Sequence, residues 1–277
     1  MTWLLDRRNG SPYDLPPPAG APQTFVVASV PRSGSTLLCR VLWDTGGVGA
    51  PKEYLNPMQL RDWEVRFGSP LSRFGHGLLF GRAAGLARGR GWSRERFVKH
   101  VERVRERRSD ASGRFGLKLH YHHYESWFPA RGWDIEALLA PRHWVRILRR
   151  DRVAQAVSWV RALQSGRWVA RQRATLPSMY RERQIERLLD EIDRQEAGWD
   201  AFFAERSAAP LILWYEDLAS DMSATVRAVL AYLGVARAES VAVAEPDLKR
   251  LADETSARWI ERYRASHPER GIGSGLE

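Results

Sequence analysis

The sequence predicts an α/β fold, in which a central, mostly parallel sheet lies between helical layers. Three observations carry that expectation. Short apolar, β-branched runs such as Phe25 to Val30 have the continuity of strands buried on both faces. Such runs alternate with amphipathic stretches of helical period, the βα order that builds a parallel sheet. Groups suited to holding an anion follow two of the strands, at the carboxyl ends where sheets of this kind bind ligands.

Residues 1–24 form a leader in which Asn9-Gly10-Ser11-Pro12 and Pro16-Pro17-Pro18 predict neither helix nor strand, and residues 25–277 read as a single domain. After Phe25–Val30, Pro31 stops the strand and Arg32-Ser33-Gly34-Ser35-Thr36 makes a turn of small residues. Leu37, Leu38, Val41 and Leu42 then recur at helical spacing. A strand entering a helix through such a turn aims backbone N–H groups and the positive end of the helix dipole at one point, a geometry that holds phosphate. An ordinary strand–turn–helix with a serine cap is the alternative. The loop lacks the Lys and the first Gly of the nucleotide triphosphatase signature, which argues against Mg-ATP chemistry.

Asp44-Thr45-Gly46-Gly47 ends the first helix, and Gly49 to Pro57 is a loop or short strand carrying Glu53. Residues 60–110 are rich in Arg and Gly and read as a helical insertion over an acceptor site, with Arg94–Arg108 helical. Interleaved aromatics and arginines also suit a nucleic-acid arm, but no nucleic-acid signature accompanies them. Phe115 to Tyr121 is a second strand, with Lys118 and His120 on one face. His122 could share that face, yet no Asp or Glu cluster supports a metal site, and none is expected. Arg142 to Arg150 is a third strand, followed by a helix capped by Asp151. Glu182–Phe203 is a long amphipathic helix, Pro210–Leu218 a fourth strand with an acidic end, and Thr225–Gly234 a helix closed by glycine.

Composition sets the remaining bounds. A net charge of +10 favours anionic partners, with a plain solvated surface as the competing reading. The single cysteine, Cys39, lies on the apolar side of the first helix as a buried thiol and excludes an intrachain disulfide. No apolar run approaches the ~18 residues of a membrane span, and the N-terminus lacks a signal-peptide core, so a soluble cytoplasmic protein without stable membrane insertion is expected.

The pattern Pro31-Arg-Ser-Gly-Ser-Thr-Leu-Leu38 resembles the 5′-phosphosulfate loop of sulfotransferases that use 3′-phosphoadenosine-5′-phosphosulfate (PAPS), and is especially similar to that of the bacterial trehalose-sulfotransferase family. The resemblance covers most of the chain, least over 60–110, and implies a P-loop-like three-layer fold. It implies that Arg32, Ser33, Gly34, Ser35 and Thr36 hold the 5′ end of the donor. It implies too that Arg150 and Ser158, eight residues apart and joined through Gln155-Ala-Val-Ser158, hold its 3′-phosphate. Glu53 occupies the segment that carries the family's catalytic carboxylate. Lys118-Leu119-His120 is similar to the K-x-H of cytosolic sulfotransferases, in which the His is the base and the Lys steadies the sulfonate. The tail resembles the family's ending; Lys249 and Arg250 there could reach the cofactor, with plain surface charge as the preferred reading.

The expected activity is sulfonate transfer from PAPS to a hydroxyl of a carbohydrate or glycolipid, without a metal, by a protein that pairs as a homodimer and binds no nucleic acid. Glu53 is the expected base, with Arg32, Lys118 and His120 beside it. Pro31 stands where the trehalose enzyme has a sugar-contacting glutamine, and the segment after Glu53 also diverges. Both departures count against trehalose itself. A phosphotransferase with a degenerate loop and a basic nucleic-acid-binding protein are the alternative classes.

Overall fold

A computed structural model describes residues 6–68, 91–168, 176–244 and 253–270. Its centre is a sheet of four parallel strands in the order β2-β1-β3-β4, with β1 Gln23–Ser29, β2 Arg114–His120, β3 Pro141–Leu148 and β4 Leu211–Trp214. Both faces of β1 are covered, which is why its sequence runs apolar without alternation. Phe25 and Val27 point into one core with Leu38, Leu42, Val226 and Leu230. Val26 and Ala28 point into the other, with Phe97, Val157, Ile192 and Trp199. The first core lies under α1 (Ser35–Asp44) and the second under α2 (Pro57–Phe67), α3 (Arg94–Arg108), α4 (Tyr121–Trp127), α5 (Ile135–Leu139), α6 (Arg152–Ser165) and α7 (Glu182–Glu205). After β4 the chain forms α8 (Tyr215–Ser220), α9 (Met222–Tyr232), which closes the first core, and α10 (Glu254–Ser266). The expected three-layer α/β arrangement is present.

The chain runs from β1 to its neighbour β2, then crosses to β3 on the other side of β1. This reversal of direction opens a crevice at the carboxyl end of β1, where the Arg32–Thr36 turn stands.

Several boundaries differ from expectation. Tyr121 begins α4 instead of ending β2, so His122 and His123 lie on a helix and not on a strand face with His120. Packing selects this turn. Tyr121 lies edge-on to Trp199 at 5.3 Å, and Gly198 makes room for it: a Cβ there would stand 2.1 Å from the Tyr121 ring. The acidic end of the fourth strand, Tyr215-Glu-Asp-Leu218, is helical, with only Leu211–Trp214 extended. The helix expected over Thr225–Gly234 starts earlier, because Asp221 caps it through the Ala224 N–H.

The leader, expected to lack helix, holds two 3₁₀ turns, Arg7–Asn9 and Ser11–Tyr13. It is bound to the domain through buried Asp62 on α2, which accepts from the Asp6 N–H at 2.9 Å and from Asn9 Nδ2 at 2.7 Å. Part of the 60–110 segment is helical as α2 and α3. Residues 69–90, like Lys249 and Arg250, lie outside the described residues.

Candidate active site

The turn after β1 is shaped for an anion. Arg32 adopts φ 68° and Gly34 φ 87°, two left-handed residues that turn the chain sharply into α1. Gly34 is the N-cap of α1, and no side chain caps the first N–H groups of that helix. A Cβ on Gly34 would lie 2.4 Å from the Tyr215 ring, so only glycine fits beneath this wall. The Ser33 hydroxyl is buried without a hydrogen-bond partner, a donor held ready at a cost of roughly 1–3 kcal/mol while it has none.

Arg32 is oriented from the far side of the crevice. Its Nε donates to Ser158 Oγ at 3.0 Å and its Nη1 to the Trp168 carbonyl at 2.9 Å. Burial, with Arg149 nearby, draws its guanidinium down to about 10. Two residues given no role in the sequence reading complete this frame. Arg149 donates to the Arg32 carbonyl at 3.2 Å and lies over the Tyr215 ring, while Gln155 donates to the Pro31 carbonyl at 2.8 Å. The signal for Arg149 was the paired arginine at the end of a strand.

On the other side of β1 the structure brings Glu53, Lys118 and His120 together. Parallel register sets Ser29 beside His120 and Val27 beside Lys118, and a single bridge between Lys52 and Leu117 draws Glu53 alongside β2. Lys52 is itself tied to the leader by an ion pair with Asp6 at 2.8 Å. The Glu53 carboxylate receives Lys118 Nζ on Oε1 and Asn56 Nδ2 on Oε2, and His120 Nε2 stands 3.4 Å from Oε1. His120 Nδ1 is 3.0 Å from Ser29 Oγ. Lys118 Nζ also donates to Thr36 Oγ1 at 2.8 Å, which joins this trio to the phosphate-type turn.

Burial alone would push the Glu53 carboxyl up. The Lys118 ammonium, together with His120 and its hydrogen bond, outweighs burial and holds the group well below the usual carboxylate range, so Glu53 is an anion at neutral pH. Burial draws His120 down to about 4, which leaves its imidazole neutral at neutral pH and a weaker proton acceptor than a free one. His122 and His123 stand beside it, with His122 Nδ1 3.3 Å from Gln195 Oε1. Cys39 is buried with its thiol pushed up to about 12, in keeping with a packing role.

Arg150 is placed differently. Its guanidinium is paired with Asp217 at 2.6 and 3.0 Å, stacked over Trp214, and exposed, although Ser158 eight residues on reaches the crevice. Among the described residues, one group of carboxylates and imidazole could hold a metal: Glu182, Glu186 and His267, none of which belongs to this site.

A protein-family model described as "Stf0 sulphotransferase" matches residues 24–266. A protein named trehalose 2-sulfotransferase from Mycobacterium tuberculosis (strain ATCC 35801 / TMC 107 / Erdman) is 27% identical over 273 residues, covering 91% of this chain and 98% of its own length. A protein of the same name from Mycolicibacterium smegmatis (strain ATCC 700084 / mc(2)155) is 30% identical over 275 residues, with the same coverage. Among solved structures, the sulfotransferase domain of the Synechococcus PCC 7002 olefin synthase aligns at a TM-score of 0.45 and 17% identity, over 95% of this chain and 92% of that one.

Proposed function

Because this chain belongs to the Stf0 sulphotransferase family and is a sulfotransferase enzyme, we propose that it transfers the sulfonate of PAPS to a hydroxyl of a carbohydrate or glycolipid. One observation carries the reading beyond the family: Lys118 Nζ is shared between Thr36 of the anion-shaped turn and the Glu53 carboxylate. The place for a sulfonate and the place for a base are one hydrogen bond apart.

The residues fit the donor. An uncapped helix start, a buried unpartnered Ser33 hydroxyl and the Arg32 guanidinium offer positive ends to a phosphosulfate. Bound there, PAPS supplies an activated sulfonate and a bisphosphate leaving group. The chain's part is to orient the reactants, neutralise charge and move one proton. Arg32 and the turn's N–H groups stabilise negative charge growing on the bridging oxygen. Glu53 accepts the acceptor's hydroxyl proton, a step that contributes typically ~10²–10⁴ in rate. Paired with Lys118, Glu53 is a weak base. As Lys118 turns towards the transferring group its hold on the carboxylate loosens, and the basicity of Glu53 rises. His120, neutral and 3.4 Å from Glu53, positions that carboxylate.

The 3′-phosphate is assigned to Ser158, which accepts from Arg32 at the crevice, and to Arg150, which must leave Asp217 to join it. Pro31, the residue before Arg32, has no side-chain donor to offer a sugar, which counts against trehalose itself as the acceptor. The cytoplasm, a reducing compartment that suits a chain with one cysteine, is the proposed place of action.

The test is direct. The protein is incubated with sulfur-labelled PAPS and a cell extract, and the labelled product is identified. Label on a carbohydrate or glycolipid hydroxyl is the expected result. Label released only as free sulfate, with every extract fraction, would contradict the reading.

A further inference from the structure

We propose that the leader is a positioning element for Glu53 and acts on it through Lys52. Glu53 lies in the irregular stretch between α1 and α2, which one bridge, Lys52 to Leu117, joins to the sheet. The Lys52 carbonyl accepts from the Lys118 N–H and from the Tyr54 N–H, each at 3.0 Å. The backbone of Lys52 therefore sets where Glu53 stands along β2.

What holds Lys52 is chiefly the leader. The Lys52 side chain is only 11% exposed, and its ammonium has three N–H donors to satisfy. Asp6 Oδ2 at 2.8 Å, Asn9 Oδ1, and Gln59 Oε1 at 2.7 Å take them, so two of the three acceptors come from the leader. The leader is in turn fixed to α2. Fully buried Asn9 donates from Nδ2 to Asp62, and its carbonyl accepts from Arg66 Nη1 at 2.6 Å. Asp6 reaches the same Asp62 through its N–H. Glu53 thus stands between two fastened points, Lys52 before it and α2 after it. The family model begins at residue 24, so the leader's share of this fastening comes from outside the matched residues.

A proton acceptor serves only while it is held close to its productive place. An enclosed ammonium that loses its acceptors is drawn to water, and Lys52 would carry its neighbour Glu53 away from Lys118. Asp6, Asn9 and Lys52 are therefore positioning residues. Their effect on turnover rests on the sulfonate-transfer reading; the fastening of Lys52 does not.

Two measurements on the full chain test this. In Asp6→Ala, hydrogen exchange read by mass spectrometry should be ~10-fold faster in the peptides that carry the Tyr54 and Lys118 N–H groups, and unchanged in β3. Label transfer from sulfur-labelled PAPS to a cell extract, at saturating PAPS, should fall ~10-fold with unchanged affinity for adenosine 3′,5′-bisphosphate. Asp6→Asn, which keeps an oxygen for Lys52, should recover most of both losses. Asn9→Ala should act in the same direction and more strongly; should it fail to fold, the pair of variants at half-buried Asp6 carries the test. A leader that merely adds stability would lower the melting temperature and speed exchange within residues 6–15 alone. Native exchange at Tyr54 and Lys118 in these variants would therefore overturn the proposal, as would faster exchange there with undiminished transfer. If the native chain transfers no label but exchange responds as expected, the sulfonate reading falls and the fastening stands.

Discussion

The two halves of the candidate site are built on opposite plans. On the side of β2, Lys118 and His120 are buried and Glu53 is half-buried, and the three are mutually bonded and tied to the Arg32–Thr36 turn. At the carboxyl end of β3, Arg150 is exposed and already paired with Asp217. The first half is preorganised, and its polar groups gain strength from the low dielectric around them. The second half must exchange one ion pair for another, in water that screens both. On the proposed function, the chemistry belongs to the first half and the second has a smaller role in holding the donor.

Acid should reach the buried half first. His100, bonded to the carbonyl of Tyr54 next to Glu53, and His120 are both drawn by burial from 6.5 to about 4. Each binds its proton less well folded than unfolded. Their contribution to stability is therefore complete above about pH 6.5 and is lost as pH falls towards 4. By pH 5 the loss is about 2 kcal/mol for each, or some ~10 °C in melting temperature together. Calorimetric melting at pH 7 and pH 5 reads this, and His100→Gln should recover about half of it. A melting temperature that holds steady over this range would mean the two imidazoles are not kept neutral by burial.

Preorganisation of the turn can be broken at Gly34. Gly34→Ala adds a Cβ at a positive φ and against the Tyr215 ring. Backbone strain of about 1–3 kcal/mol should displace the turn and weaken adenosine 3′,5′-bisphosphate by ~10²-fold or less. Binding equal to that of the native protein would show that the turn does not hold the anion.

The second half should respond more gently, and in two directions. Arg150→Ala should weaken the bisphosphate by ~10–100-fold and AMP hardly at all, because a charge-assisted bond to the 3′-phosphate is lost. Asp217→Asn should strengthen it a few-fold, since Arg150 no longer has to leave a carboxylate. If both variants bind both nucleotides as the native chain does, Arg150 has no part in the donor site.

The sheet and its helices were readable because burial imposes a period: continuous apolar strands, and an apolar stripe on α6 and α7. Glu53, Lys118 and His120 were each named from the sequence, but their meeting depends on parallel register and on the Lys52–Leu117 bridge, which no local pattern encodes. The pairing of Arg150 with Asp217 was hidden for the same reason, being a contact across 67 residues. Tyr121 was misplaced because an aromatic, β-prone residue extends a strand in sequence, while the space left by Gly198 is a tertiary fact. The leader's turns escaped notice too, since Asp62 and Lys52, which fasten them, come some fifty residues later.

The central claim is that proton transfer resides in the buried half, with Glu53 as its base. It is tested most directly by turnover at saturating PAPS and acceptor, measured alongside bisphosphate affinity, for Glu53→Gln and His120→Ala. Glu53→Gln should lose ~10²-fold or more in turnover while keeping its nucleotide affinity, as expected for a missing proton acceptor, and His120→Ala should lose less. Near-native turnover in Glu53→Gln with a large loss in His120→Ala would contradict the account and make the imidazole the base.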